Sequence, residues 1–119
     1  MVVPAIRPDV ALIHGFRADR AGNVLTDPTQ DGGLMARASR FTVVTVEEVD
    51  DRPIDRGPGF IPAIYIGAVV VAPGGARPGA CPGYYDRDEA ELRVYCELAR
   101  TEAGFAEYLD RYVFAGAGR

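Results

Sequence analysis

Runs of apolar residues separated by polar turns predict an alternation of strands and helices along this chain. Asp9–His14 is apolar but too short for a helix, so it predicts a buried strand. Residues 41–46 carry apolar side chains on both faces, which is typical of a parallel strand covered from both sides. Residues 64–71 predict a third strand, ending before Pro73. Val24–Leu25 fits either a short strand or an extended link.

Three further segments carry helix signals. Asp27 before Pro28 predicts an N-cap, with the helix ending near Ser39. Asp86 to Glu89 begin a second helix, and Thr101 is expected to cap a third. The apolar stripes of these two helices are Leu92, Tyr95, Cys96 and Ala99, and then Phe105, Tyr108, Leu109, Tyr112 and Val113. The tail from Ala115 is expected to fray.

The pattern therefore predicts one α/β domain over residues 1–119, in three α/β/α layers around a small, mainly parallel open sheet. Three main strands leave two apolar edges, which invite pairing. We expect the domain to be incomplete, with its sheet completed by a partner or by a missing segment.

Composition excludes several classes of function. Thirteen basic and seventeen acidic residues give a net charge of −4, which argues against nucleic acid or an anionic membrane as the main partner. The chain has neither a signal-peptide pattern nor an apolar run long enough to span a bilayer, so we expect a cytoplasmic protein.

Cysteine and histidine content bears on redox and metal chemistry. Cys81 and Cys96 cannot build a disulfide framework, and with a single histidine in the chain we expect no metal site. We expect two inert thiols, with Cys81 in a flexible loop and Cys96 facing the core.

Candidate site residues follow the predicted strands. Glu47 and Glu48 come after a buried strand at its carboxyl end, where open α/β sheets bind ligands. One of them is a candidate to position substrate or to assist proton transfer; the alternative is a solvated acidic turn over residues 47–51. His14 also ends a strand, but the sequence places no carboxylate, serine or cysteine beside it, which favours a hydrogen-bonded structural histidine.

A glycine-rich segment, Pro73 to Gly79, adds a second group of candidates. Gly74 and Gly75 allow the backbone to approach a ligand closely, and Arg77 can bind a carboxylate or a phosphate. A plain structural turn is an equal alternative. Tyr84 and Tyr85 can line the same cleft, although aromatic residues before a helix more often pack in a core or at a subunit interface.

Several of these segments together resemble the C-terminal half of the α subunit of family I CoA-transferases, the glutaconate CoA-transferase-like proteins. The resemblance covers about residues 9–113, and its ordered set is more specific than any one motif. The matching motifs are PDVALIH with RADR and GN behind it (residues 8–23), VVTVEEV (43–49), AVVVAPGGA before Pro78 (68–76) and GYYDRD (83–88).

The resemblance implies a pairing with a β-type subunit of related fold and transfer of CoA between an acyl-CoA and a carboxylic acid. In the family, a glutamate forms a CoA thioester, and in the glutaconate enzyme that glutamate lies on the β chain. The family's N-terminal half has no counterpart here, whether through truncation or a split subunit. The chain is therefore expected to act only with a nucleophile-bearing chain, with a CoA thioester as substrate and no permanently bound cofactor.

The same resemblance leaves two alternatives open. Related proteins hydrolyse CoA thioesters or open rings, so the chain can belong to a hydrolase instead. It can also be a non-catalytic remnant that associates with itself through its open sheet edge. Within the family interpretation, Glu47 and Glu48 support catalysis. The substrate-binding candidates are His14, Gly74, Gly75, Arg77, Tyr84 and Tyr85.

Overall fold

A five-stranded sheet organises the computed structural model, which describes residues 4–115. The strands are β1 (Val10–Asp19), β2 (Val24–Leu25), β3 (Phe41–Asp50), β4 (Phe60–Ile61) and β5 (Ala68–Val71). Their order across the sheet is β4-β2-β1-β3-β5. The central strands β1, β3 and β5 are parallel, while β2 and β4 add an antiparallel edge. The predicted α/β class with a mainly parallel open sheet is confirmed.

Helices fill the connections between and after the strands. They are α1 (Gly32–Ala38), α2 (Glu89–Leu98) and α3 (Glu102–Tyr108), which continues as a π-helical segment (Leu109–Phe114). A 3-10 turn (Ala63–Tyr65) lies before β5. No helix within residues 4–115 is both long and apolar enough to cross a bilayer.

The pairing of β1 with β3 positions the candidate site. Val10 pairs with Phe41, and the register continues without a slip to Asp19 opposite Asp50. Because the two strands are parallel, their carboxyl ends lie side by side. Side chains of matched positions also point to the same face of the sheet. His14, Thr45 and Glu47 therefore share one face.

The core lies on one face of this sheet. Its buried members on the central strands are Ala11, Ile13, Val44 and Val46, and α1 covers them with Ala36. Leu12 and Phe41, on the opposite face, are 73% and 48% exposed. Both faces of residues 41–46 were expected to be covered. Within residues 4–115 this end of the second face stays open, because α2 and α3 pack mainly against each other.

The first helix and the third predicted strand begin later than predicted. Asp27 accepts hydrogen bonds from the amide and hydroxyl of Thr29 and closes a separate turn, so α1 starts only at Gly32. The strand predicted over residues 64–71 is reduced to β5, because the 3-10 turn follows Pro62. Both N-terminal boundaries were wrong for the same reason: a local turn took the first residues.

The predicted N-terminal caps of α2 and α3 are confirmed. The carboxylate of Asp88 accepts from Glu91 N–H, and the hydroxyl of Thr101 accepts from Gly104 N–H. Cys96 is exposed on α2, so its predicted place in the core was wrong. Cys81 is buried and pairs through its backbone with Tyr85. Of the tail predicted to fray, residues 115–119, the part from residue 116 onward lies outside the described residues.

Candidate functional site

Glu47 is the centre of a buried cluster beside the carboxyl end of β5. It lies inside β3, as His14 lies inside β1, so both of these strands run past the ends predicted for them. The Glu47 side chain is almost fully enclosed, with 6% of its surface accessible. Oε1 accepts from His14 Nε2 and from the Tyr85 hydroxyl, each at 2.7 Å, and Oε2 accepts from Gly74 N–H at 2.7 Å. The three donors come from β1, from the loop after β5 and from the segment before α2. Glu47 is therefore no solvated turn residue, whereas its neighbour Glu48 is exposed.

The electrostatics of the cluster keep Glu47 ionised. Burial alone raises the pKa of this carboxyl, but the hydrogen bonds from Gly74, Tyr85 and His14 outweigh it and hold the pKa below its ordinary value. Tyr85 shows the complementary effect, since burial and its bond to the Glu47 carboxylate raise the pKa of the phenol. A buried anion thus lies among hydrogen-bond donors that stabilise its charge.

The imidazole of His14 is held from both sides. A carboxylate can only accept, so Nε2 carries the proton toward Glu47, while Nδ1 lies 2.8 Å from the hydroxyl of Thr45. His14 is hydrogen-bonded, as the structural interpretation requires, and its carboxylate partner lies 33 positions along the chain. Parallel pairing of β1 and β3 with aligned ends is the signal that could have revealed this contact.

The glycine-rich loop folds onto this cluster. Gly74 has φ +77°, a left-handed conformation that favours glycine, and its N–H is the one that reaches Glu47. A Cβ on Gly75 would lie 2.9 Å from Cε1 of His14, so only glycine fits over the ring. Ala76 N–H donates to the Tyr85 hydroxyl at 2.9 Å. The loop's conformation thus has causes inside the protein, and ligand contact by its glycines stays a prediction.

Three other predicted residues form an outer layer over the cluster. The Arg77 guanidinium lies 4.9 Å from the centroid of the Tyr85 ring and 3.9 Å from the carboxylate of Asp88. The hydroxyl of Tyr84 donates to Glu48 at 2.8 Å, and burial together with this bond raises the pKa of Tyr84 to about 12. The structure therefore brings all the predicted site residues together, although it does not test their roles in binding.

Three residues that sequence analysis did not place here complete the cluster: Phe16 stacks on Tyr84, Thr45 orients His14, and Cys81 lies beside Glu47. Burial, and then the nearby Glu47 carboxylate, raise the pKa of the Cys81 thiol and keep it protonated. The alternation of side chains between the two faces of β1 and β3 could have suggested Phe16 and Thr45. The sequence around Cys81 carries no such signal.

The donor atoms of His14, Glu47 and Cys81 lie within 4.8 Å of one another, which raises the question of a metal site. Two atoms bound to one tetrahedral zinc at about 2 Å would lie about 3.3 Å apart. His14 Nε2 and Glu47 Oε1 are instead 2.7 Å apart, the distance of a hydrogen bond. This arrangement fits a proton between the two atoms better than an ion, and the absence of a metal stays a prediction.

Comparison with known proteins identifies the chain's relatives. In Acidaminococcus fermentans, the A subunit of glutaconate CoA-transferase is 38% identical over 96% of this chain and 37% of its own length. The crystal structure of that enzyme matches 95% of this chain and 37% of its own chain, with a TM-score of 0.84 and 37% identity. In Pseudomonas knackmussii, the A subunit of 3-oxoadipate CoA-transferase is 36% identical over 93% of this chain and 40% of its own length.

A relative with a different reaction also aligns. The cholesterol ring-cleaving hydrolase IpdA subunit of Mycobacterium tuberculosis is 31% identical over 95% of this chain and 41% of its own length. This chain thus spans about two fifths of the length of the relatives it matches. The model of the family described as coenzyme A transferase matches residues 1–72, more than half of the chain. The resemblance seen in the motifs is confirmed, and the chain belongs to the coenzyme A transferase family.

Proposed function

We propose that this chain is part of an A-type CoA-transferase subunit, which moves CoA between an acyl-CoA and a carboxylic acid together with a nucleophile-bearing chain. The observation that carries the proposal is the alignment of nearly the whole chain with the A subunits of two CoA-transferases. The Glu47 cluster adds support, because it lies beside the carboxyl end of the parallel strand β5, and ligand sites in such sheets usually lie at carboxyl ends of strands. The CoA thioester is a substrate, and no permanently bound cofactor is required.

We assign different tasks to the buried Glu47 cluster and to the outer layer of residues over it. Glu47 is buried and its oxygens are occupied by three protein donors, so it is poorly placed to attack a thioester carbonyl. The nucleophilic glutamate therefore comes from another chain. The side chain of Arg77 is 52% exposed, and its planar fork suits a carboxylate or a CoA phosphate. Glu48 and Tyr84, which are bonded to each other at the exposed rim, are further polar groups that can meet substrate.

A transfer assay tests the reaction. The protein is purified from its own host under mild conditions, its native mass is measured, and it is incubated with a short acyl-CoA and glutaconate or 3-oxoadipate. We expect CoA exchange only from an assembly that contains a second chain. Robust exchange by this chain alone would contradict the assignment of the nucleophile to a partner.

The hydrolase relative supports a second candidate, a protein that cleaves CoA thioesters or rings with water. Omitting the acceptor acid separates the two reactions. A transferase should then release almost no free CoA, while a hydrolase should release it at its full rate. Release that does not depend on the acid would move the proposal to the hydrolase.

The partner contact has its own test. Leu12 lies on the open face of the sheet and is 73% exposed, and we propose that the rest of the enzyme covers this face. Leu12→Asp should leave the stability of the chain within about 0.5 kcal/mol of wild type, as for other exposed positions. It should also strongly reduce the amount of second chain that co-purifies, because a carboxylate would be buried in an apolar contact.

Leu34→Asp is the matched control for that variant. Leu34 is also exposed, at 61%, but it lies on α1, which covers the other face of the sheet. It should leave co-purification unchanged. If Leu12→Asp assembles as well as Leu34→Asp does, this face is not the contact. A wild-type chain that purifies alone would contradict the partner proposal itself.

A further inference from the structure

The loop that follows β5 is attached to the sheet through a single buried carboxylate. Gly74 N–H donates directly to Oε2 of Glu47. Ala76 N–H donates to the Tyr85 hydroxyl, which in turn donates to Oε1 of Glu47. Two loop amides therefore depend on Glu47: that of Gly74 directly, and that of Ala76 through the Tyr85 hydroxyl. Other bonds of the loop's first turn, such as Gly75 N–H to Ala72 O, close it locally without reaching the sheet.

The imidazole of His14 forms the floor of this attachment. Its ring lies directly under Gly75, where a Cβ would come within 2.9 Å of Cε1. The hydroxyl of Thr45 lies 2.8 Å from Nδ1 and orients the ring so that Nε2 points at Glu47. The sheet thus offers the Glu47 carboxylate as an acceptor and the His14 ring as a packing surface, and the loop contacts both.

Arg77 comes immediately after the anchored amides. Its guanidinium lies over the Tyr85 ring at 4.9 Å, and the hydroxyl of the same ring is bonded to Glu47. The place of this exposed cation is therefore set by the phenol, by the loop and by the Asp88 carboxylate 3.9 Å away. A change at Glu47 would reach Arg77 without any direct contact between the two side chains.

We propose that Glu47 is a positioning residue that anchors the loop of residues 73–79 and so places Arg77 for binding the acyl-CoA or the acid. The effect on catalysis rests on the proposed function, whereas the anchoring does not. Two accepting oxygens are essential because three donors converge on one carboxylate. A glutamine of the same shape has one accepting oxygen and a donating NH2 group, so at least one of the three donors would face another donor.

Amide hydrogen exchange of the purified protein tests the anchoring. In Glu47→Gln and Tyr85→Phe we expect the amides of Gly74 and Ala76, respectively, to exchange about tenfold faster, because each loses a buried bond that protects it. Glu48→Gln and Tyr84→Phe are matched controls, one residue away, whose side chains bond only each other at the exposed rim. Their loop amides should exchange as in wild type.

Tyr85→Phe also covers the case in which Glu47→Gln fails to fold, since it removes one hydroxyl and keeps the ring. Wild-type protection of the loop in both variants would overturn the proposal. Equal loss of protection in Glu47→Gln and Glu48→Gln would overturn it as well, because the effect would then belong to negative charge in general.

The transfer assay tests the catalytic consequence. Glu47→Gln should raise KM for the acyl-CoA or the acid about tenfold while kcat changes less than about threefold, since binding rather than chemistry is disturbed. Loss of folded protein would lower the apparent kcat instead. Asp55→Asn, an exposed carboxylate outside the cluster, should keep both constants. If no transfer occurs at all, the proposed function fails, and the exchange data still decide the anchoring.

Discussion

Replacing Ile61 by alanine is expected to lower the free energy of unfolding by about 2–5 kcal/mol, the range for truncating a buried isoleucine. Ile61 belongs to the short edge strand β4, yet only 2% of it is exposed. It pairs with Val24, which is fully buried, and a Cβ on Gly32 would lie 3.6 Å from its Cδ1. The neighbours come from a strand and from α1, so they cannot collapse easily into the cavity.

Urea unfolding followed by far-UV circular dichroism measures this loss as a lower midpoint with an unchanged slope. Ile64→Ala is the matched control, because Ile64 lies three residues away in the 3-10 turn and is 86% exposed. The free energy of unfolding of this control should differ from that of wild type by no more than about 0.5 kcal/mol. Equal losses in the two variants would show that β4 is not part of the core in solution.

Replacing Asp19 by alanine is expected to lower the free energy of unfolding by about 3 kcal/mol, because several amides lose a shared acceptor. Asp19 ends β1 and is 5% exposed. One oxygen accepts from Ala21 N–H and Asn23 N–H, and the other from the Asn23 side chain and Ile54 N–H. A single carboxylate thus joins the end of β1, the turn into β2 and the segment after β3.

The effect of Asp19 also depends on pH. Burial raises the pKa of this carboxyl, but the bonds from Asn23, Ile54 and Ala21 outweigh it and hold the pKa below its ordinary value of 3.8. The folded group thus releases its proton more readily than the unfolded one. Its contribution to stability is fully present above that value and is lost as the pH falls through the folded pKa. The difference in free energy of unfolding between wild type and Asp19→Ala should therefore become smaller as the pH falls into the acid range.

Unfolding titrations at neutral pH and at several acidic values measure both effects. Asp27→Ala is the control, since Asp27 closes a similar turn through Thr29 but at the surface. We expect a much smaller loss of stability there. A difference between wild type and Asp19→Ala that stays constant into acid would contradict a lowered pKa for Asp19.

Local sequence patterns identify only some features of the Glu47 cluster. Sequence reasoning grouped Glu47, Glu48 and His14 at the ends of neighbouring strands, and the structure does bring His14 into contact with Glu47. Their predicted position at the strand ends was wrong, because β1 and β3 continue to Asp19 and Asp50. The pattern of residues does not tell which of the two glutamates points inward. Only the register of β1 against β3 decides it, since a shift by one residue exchanges the faces of every side chain.

The loop was harder still. Its glycines predict an approach to a ligand, which stays a prediction, and the structure shows a close approach of Gly75 to His14. The partners of Gly74 and Ala76 lie 27 and nine positions away in the chain. No local pattern encodes such contacts, because they arise only when the loop after β5 folds onto β3 and the segment before α2 returns to the sheet. Cys81 is buried by the same return.

The sequence by itself determined the features that depend on neighbouring residues. These are the apolar strands β1 and β3, the caps of α2 and α3, and, through the ordered motifs, membership of the family. Each follows from alternation or capping chemistry within a few residues. Only the tertiary structure shows that Ile61 is core, that Cys96 is exposed, and that Glu47 accepts from the loop amide of Gly74. The physical reason is that burial and buried hydrogen bonds depend on which distant segments meet.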